Sequence, residues 1–345
     1  MEVLKVVGIA FLVLVVIVVI SSLAAQIVLK WAKRRYSPPE ERDWVYPGDE
    51  LLSEIDRKNI RTVSSAITID APVDEVYRWL YQFGGSKSGS ISSEMAERVF
   101  GRMSVFNRYE IQQEWQTPDA LMPGDFQDWD RSGMGTEYTD VVADKYIMAF
   151  SDTKHPPRAR GAYAIAGKGI KRMCFNWGFY FVPLKGGKTR YINRWSYSEP
   201  DNPVMRFMLY NAIYIGGSAM GRWHVEYVKQ LAEGRPKVHR HCKAFRKVVG
   251  MNHYAPDAVQ NATDCPIIRD GRNAPAVSEI RPPKLADPSW PPVDGPWSNI
   301  DKEYYAQRLP VAIQEAKSML EMQMSAANKK IAALEEELAA LEERG

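Results

Sequence analysis

Apolar and polar positions follow three regimes along this chain, and each predicts a different element. The first is an unbroken uncharged run, Val6 to Leu29 (VVGIAFLVLVVIVVISSLAAQIVL), followed at once by KWAKRR. As a helix rising 1.5 Å per residue it measures about 36 Å, enough to cross a hydrocarbon core of about 30 Å with some tilt. The basic flank of Lys30, Lys33, Arg34 and Arg35 outweighs Lys5 and the amino terminus, so the positive-inside rule puts the body of the protein in the cytoplasm. Ser22-Leu23-Ala24 resembles a signal-peptidase site, which makes a cleaved signal peptide the competing reading. A retained span is favoured, because Lys5 is the lone basic side chain before the run and apolar residues continue past the cut.

The second regime is alternation. Ser64 to Asp70 alternates and stops at Ala71-Pro72, where Pro72 suits the first turn of a helix over Val73 to Phe83. Val76, Trp79, Leu80 and Phe83 share one face of that helix. After the connection GGSKSGS, a second short helix is expected around Ser93 to Phe100. Strands are expected near residues 109–115, 125–130, 136–150 and 159–166, then over 172–183 and 189–198 around the turn Lys185-Gly186-Gly187-Lys188. Met173, Phe175, Trp177, Phe179 and Phe181 alternate and so share one sheet face. Pro203 opens a long helix that ends at Gly234.

The third regime is a heptad. With d at Ile313, Leu320, Ala327, Leu334 and Leu341, the a positions are Lys317, Met324, Ile331 and Leu338, and EEELAALEER supplies flanking charge. This predicts a coiled-coil helix over 311–345, which self-associates, docks a partner helix through 311–344, or folds back on its own domain. Between the regimes lie a Pro-bearing linker (37–61) and an arm (235–310) holding eleven of the 22 prolines. Such an arm buries little surface by itself and is expected to lie extended on something else. The organisation is therefore anchor and basic flank (1–36), linker (37–61), folded unit (62–234), arm (235–310) and terminal helix (311–345).

Composition changes this picture little. The chain is 45% hydrophobic and 11% aromatic, ample for a core once the anchor is set aside. Net charge is +3, and KWAKRR is better matched to anionic headgroups than to nucleic acid, for which no module is present. Three cysteines, an odd number, fit a reducing compartment rather than a disulfide framework. The Asn261 sequon reads as chance occurrence.

Strand, two short helices, a run of antiparallel strands and one long helix is the element order of an α+β helix-grip fold. APVDEVYRWLYQFGGSKSGSISSEMAERVFG resembles the opening of START-like proteins, the SRPBCC superfamily that includes polyketide cyclase/dehydrase-like proteins. EWQTPDALMPGDF is similar to a later segment of that group through Glu114, Gln116, Leu121, Gly124 and Asp125. The resemblance covers residues 62–234. It implies a curved sheet wrapped on the long helix, with a cavity that in relatives takes lipids, sterols, quinones or polyketides. Gly89-Ser90-Ile91-Ser92-Ser93-Glu94 lacks the aromatics of the family pattern, so their ligand contacts are not carried over.

Candidate chemistry follows from that cavity. Trp115, Trp129, Trp177, Phe179, Trp195 and Tyr197 on strands, with Met208, Tyr214, Gly217, Trp223 and His224 on the helix, are the residues expected to line it, or else to fill the core. Gly216, Gly217 and Gly221 each cost about 1 kcal/mol in a helix, so they mark close approach of the sheet or a ligand, or a kink. His224 and Glu226, two positions apart, point to different sides of the helix and form no local pair. No GxSxG, HExxH, P-loop or GxGxxG constellation is present, so no catalytic residue is named and no cofactor is implied. In the arm, His239, His241, Cys242, His253 and Cys265 carry zinc-type donors at spacings that match no finger or ribbon. Together these observations predict a membrane-anchored protein that binds a hydrophobic molecule, lipid or quinone in class. The alternatives are an accessory subunit of a membrane complex and a cyclase- or hydrolase-like enzyme on an apolar substrate.

Overall fold

The computed structural model describes residues 2–84, 87–89, 91–94, 110–116, 121, 123, 126–128, 135–152, 174–235, 289–292 and 294–342. Helix α1 spans Glu2–Tyr36, and its basic last turn holds Lys33, Arg34 and Arg35. It is the one helix among the described residues long and apolar enough to cross a membrane. The described large apolar side chains between Val6 and Leu23 stand exposed, whereas Leu29 and Tyr36 are buried. The same helix therefore begins bare and ends docked on the folded unit.

The sheet is open and antiparallel, with strand order β1-β6-β5-β4-β3-β2. Its strands are β1 (Ile60–Ile69), β2 (Phe126–Asp128), β3 (Gly135–Val142), β4 (Tyr146–Asp152), β5 (Cys174–Leu184) and β6 (Lys188–Ser198). The turn between β5 and β6 uses Gly186 and Gly187 at positive φ, as the Gly-Gly pair predicts. Two expectations are corrected. Residues 136–150 are a hairpin, not one strand, because Asp144 adopts a left-handed conformation (φ 58°) between β3 and β4. Residues 109–115 contain a 3-10 turn, Gln113–Trp115, in place of a strand. The expected strand at 159–166 lies outside the described residues, as does the helix at 93–100 beyond Glu94.

Helix α2 (Val73–Tyr77) tightens into a 3-10 stretch, Arg78–Gln82, shorter than its periodicity suggests. The long helix is built in three pieces: α3 (Pro203–Leu209), a π-helical turn (Tyr210–Ile215) and α4 (Gly216–Ala232). The Asn202 side chain caps α3 by accepting from the Val204 and Met205 amides at 2.9 and 3.2 Å. β5 and β6 place Phe175 opposite Tyr197, Trp177 opposite Trp195, Phe179 opposite Asn193 and Phe181 opposite Tyr191. These rows face the helices, and α2 and α4 pack on them in one core with Phe83, Val225 and Tyr227.

The other sheet face is covered as well. Residues 37–59 run across it as a strap. Tyr180 donates to the Pro47 carbonyl at 2.7 Å, and Asn176 donates to the Gly48 carbonyl at 2.7 Å. Arg190 grips Glu41 through two hydrogen bonds of 2.8 and 2.7 Å, and Arg194 pairs with Asp49. Gly48 sits at φ +93°, and a Cβ there would lie 2.1 Å from Met148 Cε. Beside the strap, Trp290 and Trp297 join Tyr46, Tyr146, Tyr180 and Ile192 in a separate core. Trp290 donates to the Phe181 carbonyl at 3.0 Å.

Helix α5 (Lys302–Glu342) starts nine residues earlier than the heptad implies. Asp301 accepts from the Glu303 and Tyr304 amides, and so supplies the cap. Its first turns are held by Tyr305, which donates to the Asp144 and Phe181 carbonyls, and by Arg308, which grips the Asp144 carboxylate at 2.8 Å. Burial raises the Asp144 carboxyl above its ordinary value, and Arg308 opposes that rise.

Candidate ligand-binding interior

The interior between sheet and helices has two ends of different character. At the α4 end it is filled. His224 is buried, bonded through Nε2 to the Tyr191 hydroxyl at 2.6 Å, with ring centroids of Phe83 and Phe179 at 5.3 and 5.8 Å. Burial drives the Tyr191 hydroxyl far above its ordinary pKa, so it remains protonated. A histidine packed this way satisfies its own polarity in the core. Glu226 turns elsewhere and accepts from Tyr36 of α1, as two positions of separation require.

Toward α3 the packing changes. Trp177 and Trp195 face inward, their rings tilted and 5.8 Å apart, and yet both keep accessible surface while Phe175, Phe179 and Tyr197 beside them are buried. The Trp177 indole donates to Asn193 Oδ1 at 2.6 Å, which fixes its orientation. Leu209, Tyr214 and Ile215 close this end in one cluster with Phe175, Tyr197 and the two tryptophans. The buried Tyr197 hydroxyl has no hydrogen-bond partner among the described residues. Leaving such a group unpaired costs about 1–3 kcal/mol. Burial also raises its pKa, so it stands as a protonated donor.

Gly217 and Gly221 have a definite cause, whereas a Cβ on Gly216 would come no nearer than 3.9 Å to the Asn211 carbonyl oxygen. A Cβ on Gly217 would lie 1.7 Å from Trp195 Cζ2, and one on Gly221 would lie 3.0 Å from the Ser65 hydroxyl. The helix is thinned so that the sheet can approach its backbone, which is the packing alternative among those the sequence left open.

Of the residues expected to line the cavity, Trp177, Phe179, Trp195, Tyr197, Tyr214, Gly217 and His224 are brought together between sheet and helix. Trp223 sits at the edge of the core beside Arg222, whose guanidinium lies 5.6 Å from its ring. Trp115 is half-buried on its 3-10 turn. Met208 falls on α3, and Trp129 lies outside the described residues. The zinc-type donors His239, His241, Cys242, His253 and Cys265 lie outside them too. Sequence reasoning missed Tyr191, Asn193 and Phe83. The first two share the alternation of Trp195 and Tyr197 on β6, a signal that was present.

No family model matches this chain, and no curated protein matches it. Solved structures do align with it. Norcoclaurine synthase from Thalictrum flavum, in complex with dopamine and hydroxybenzaldehyde, aligns over 56% of this chain and 98% of its own at 10% identity and a TM-score of 0.28. A solution structure from Thermobifida fusca aligns over 52% and 98% at 12% identity and a TM-score of 0.30. The di-domain ARO/CYC BexL of the BE-7585A biosynthetic pathway aligns over 55% and 54% at 15% identity and a TM-score of 0.26. At these scores the likeness carries no functional argument, and the description of the fold stands on the strand order and register above.

Proposed function

We propose that this protein is a membrane-anchored, START-like binder of a hydrophobic molecule, lipid or quinone in class, held against Trp177 and Trp195 at the α3 end of the interior. The observation that carries the reading is the pair of inward-facing indoles that retain accessible surface among buried neighbours. Apolar pockets with a few placed polar groups are the usual small-molecule sites, and the Tyr197 hydroxyl supplies such a group. Tethering suits this function, because an oily ligand partitions into the bilayer and the anchor concentrates the receptor there.

Two probes test it. Full-length protein in detergent is titrated with a short-chain ubiquinone analogue, which quenches indole fluorescence, and separately with a fluorescent fatty acid. Saturable binding of one probe, weakened at least about tenfold when Trp177 and Trp195 are both replaced by alanine, is expected; tenfold corresponds to about 1.4 kcal/mol. Absence of saturation with both probes contradicts the reading.

A second reading, an accessory subunit of a membrane complex, is favoured by one observation. Ile313, Met324, Ile331, Leu334 and Leu338 of the heptad stand exposed along α5. An apolar stripe of that kind fits a partner helix, from a second copy or another chain.

A further inference from the structure

The contacts between α1 and the long helix run in one direction. Gln26 donates to the Tyr210 hydroxyl at 3.1 Å, Lys33 donates to Tyr214, and Tyr36 donates to Glu226. The Arg222 guanidinium lies 4.5 Å from the Trp31 ring. Rising numbers on α1 meet, in broad order, rising numbers on the long helix, so the two run in the same sense where they touch. The segment that precedes Tyr210, which is α3, therefore continues toward the apolar part of α1. Gln26 lies within the uncharged run, about 6 Å before Lys30 at 1.5 Å per residue. Tyr210 is thus level with the last turn of the span.

The side chains of α3 match that position. Met205 and Leu209 pack inward with Ala25 and Leu29 of α1. Val204 and Phe207, three positions apart and hence on one face, are 64% and 54% exposed. Asp201 and Arg206 are exposed at the same end of the unit. An apolar pair framed by charges suits the boundary between headgroups and acyl chains, where apolar faces sink about 5–10 Å.

We propose that α3 is a second membrane contact, lying in the cytoplasmic-side lipid interface with Val204 and Phe207 among the upper acyl chains. The occupant of this face is the bilayer that α1 crosses. The proposal deepens the reading of a membrane-anchored binder and rests on it. It adds that the Trp177–Trp195 end, closed by the buried Leu209, Tyr214 and Ile215, is the membrane-proximal end of the interior, so that a guest reaches it from the bilayer side.

Site-directed spin labelling of the full-length chain in phosphatidylcholine–phosphatidylglycerol vesicles tests it. In a background lacking the three native cysteines, nitroxides are placed by Phe207→Cys and, separately, Val204→Cys, with Ile17→Cys as a mid-span reference and Lys185→Cys as a reference at the β5–β6 turn. Collision with oxygen relative to a water-soluble nickel chelate reports depth. The expected ratio at both α3 positions lies between those of the Lys185 and Ile17 labels. Ratios at Phe207 and Val204 equal to the Lys185 ratio, with Ile17 still in lipid, overturn this proposal and leave the anchor intact. An aqueous ratio at Ile17 overturns the anchor and this proposal with it.

Discussion

At Gly217 one missing carbon sets the distance between sheet and helix. The Trp195 ring occupies the space a Cβ would need. Gly217→Ala is therefore expected to destabilise the folded unit by about 1–3 kcal/mol, the usual cost of overpacking, despite alanine's better helix propensity. Trp195→Phe removes the crowded atoms, so the double variant is expected to recover much of the loss. Denaturant unfolding of the four proteins checks this, and strictly additive losses contradict it. The glycine cluster was visible in the sequence, and what it made room for was not: Trp195 and Gly217 are 22 positions apart and meet only through the tertiary fold. His224 illustrates the same limit. Its separation from Glu226 by helical geometry could be read from spacing, whereas its bond to Tyr191 depends on how β6 lies on α4.

Elements with a strict period were the legible ones. Alternation placed the aromatic row of β5 on one face, and the Gly-Gly turn set the register that puts Trp177 opposite Trp195. The strap was illegible for the opposite reason. Residues 37–59 have no period, and their order comes from Tyr46, Pro47, Gly48, Glu41 and Asp49 meeting Tyr180, Asn176, Arg190 and Arg194 from far along the chain. The start of α5 was hidden likewise, since Pro310 looks like a boundary and the operative cap, Asp301, lies two turns earlier. Beyond its docked turns, α5 exposes Ile313, Met324, Ile331, Leu334 and Leu338 of the heptad. An element of that kind is expected to pair. Leu334→Glu with Ile331→Asp is predicted to shift full-length protein in detergent toward monomer in analytical ultracentrifugation, leaving the folded unit's circular dichroism unchanged away from the helical loss. Wild-type protein that is monomeric and uncrosslinked at the same concentration contradicts self-association.

On the scale of the whole molecule, a single helix joins the apolar N-terminal run to the aromatic interior. From the end of its apolar run, α1 touches within its last turns the π turn and α4, the same elements that close the aromatic interior. The strap that follows α1 then crosses the far sheet face. The folded unit is thus gripped from both sides by residues adjoining the apolar run, which under the proposed anchoring would hold it in a fixed orientation instead of letting it swing on a flexible tether. The proposed binding function requires an apolar molecule held beside Trp177 and Trp195. Native mass spectrometry of the full-length 39.2 kDa chain, released gently from detergent, tests that most directly. The account predicts a population heavier by one apolar molecule that survives detergent removal and is depleted in the Trp177→Ala, Trp195→Ala variant. A spectrum holding the bare chain alone, from membranes of the source cell as well as from a heterologous host, would contradict it.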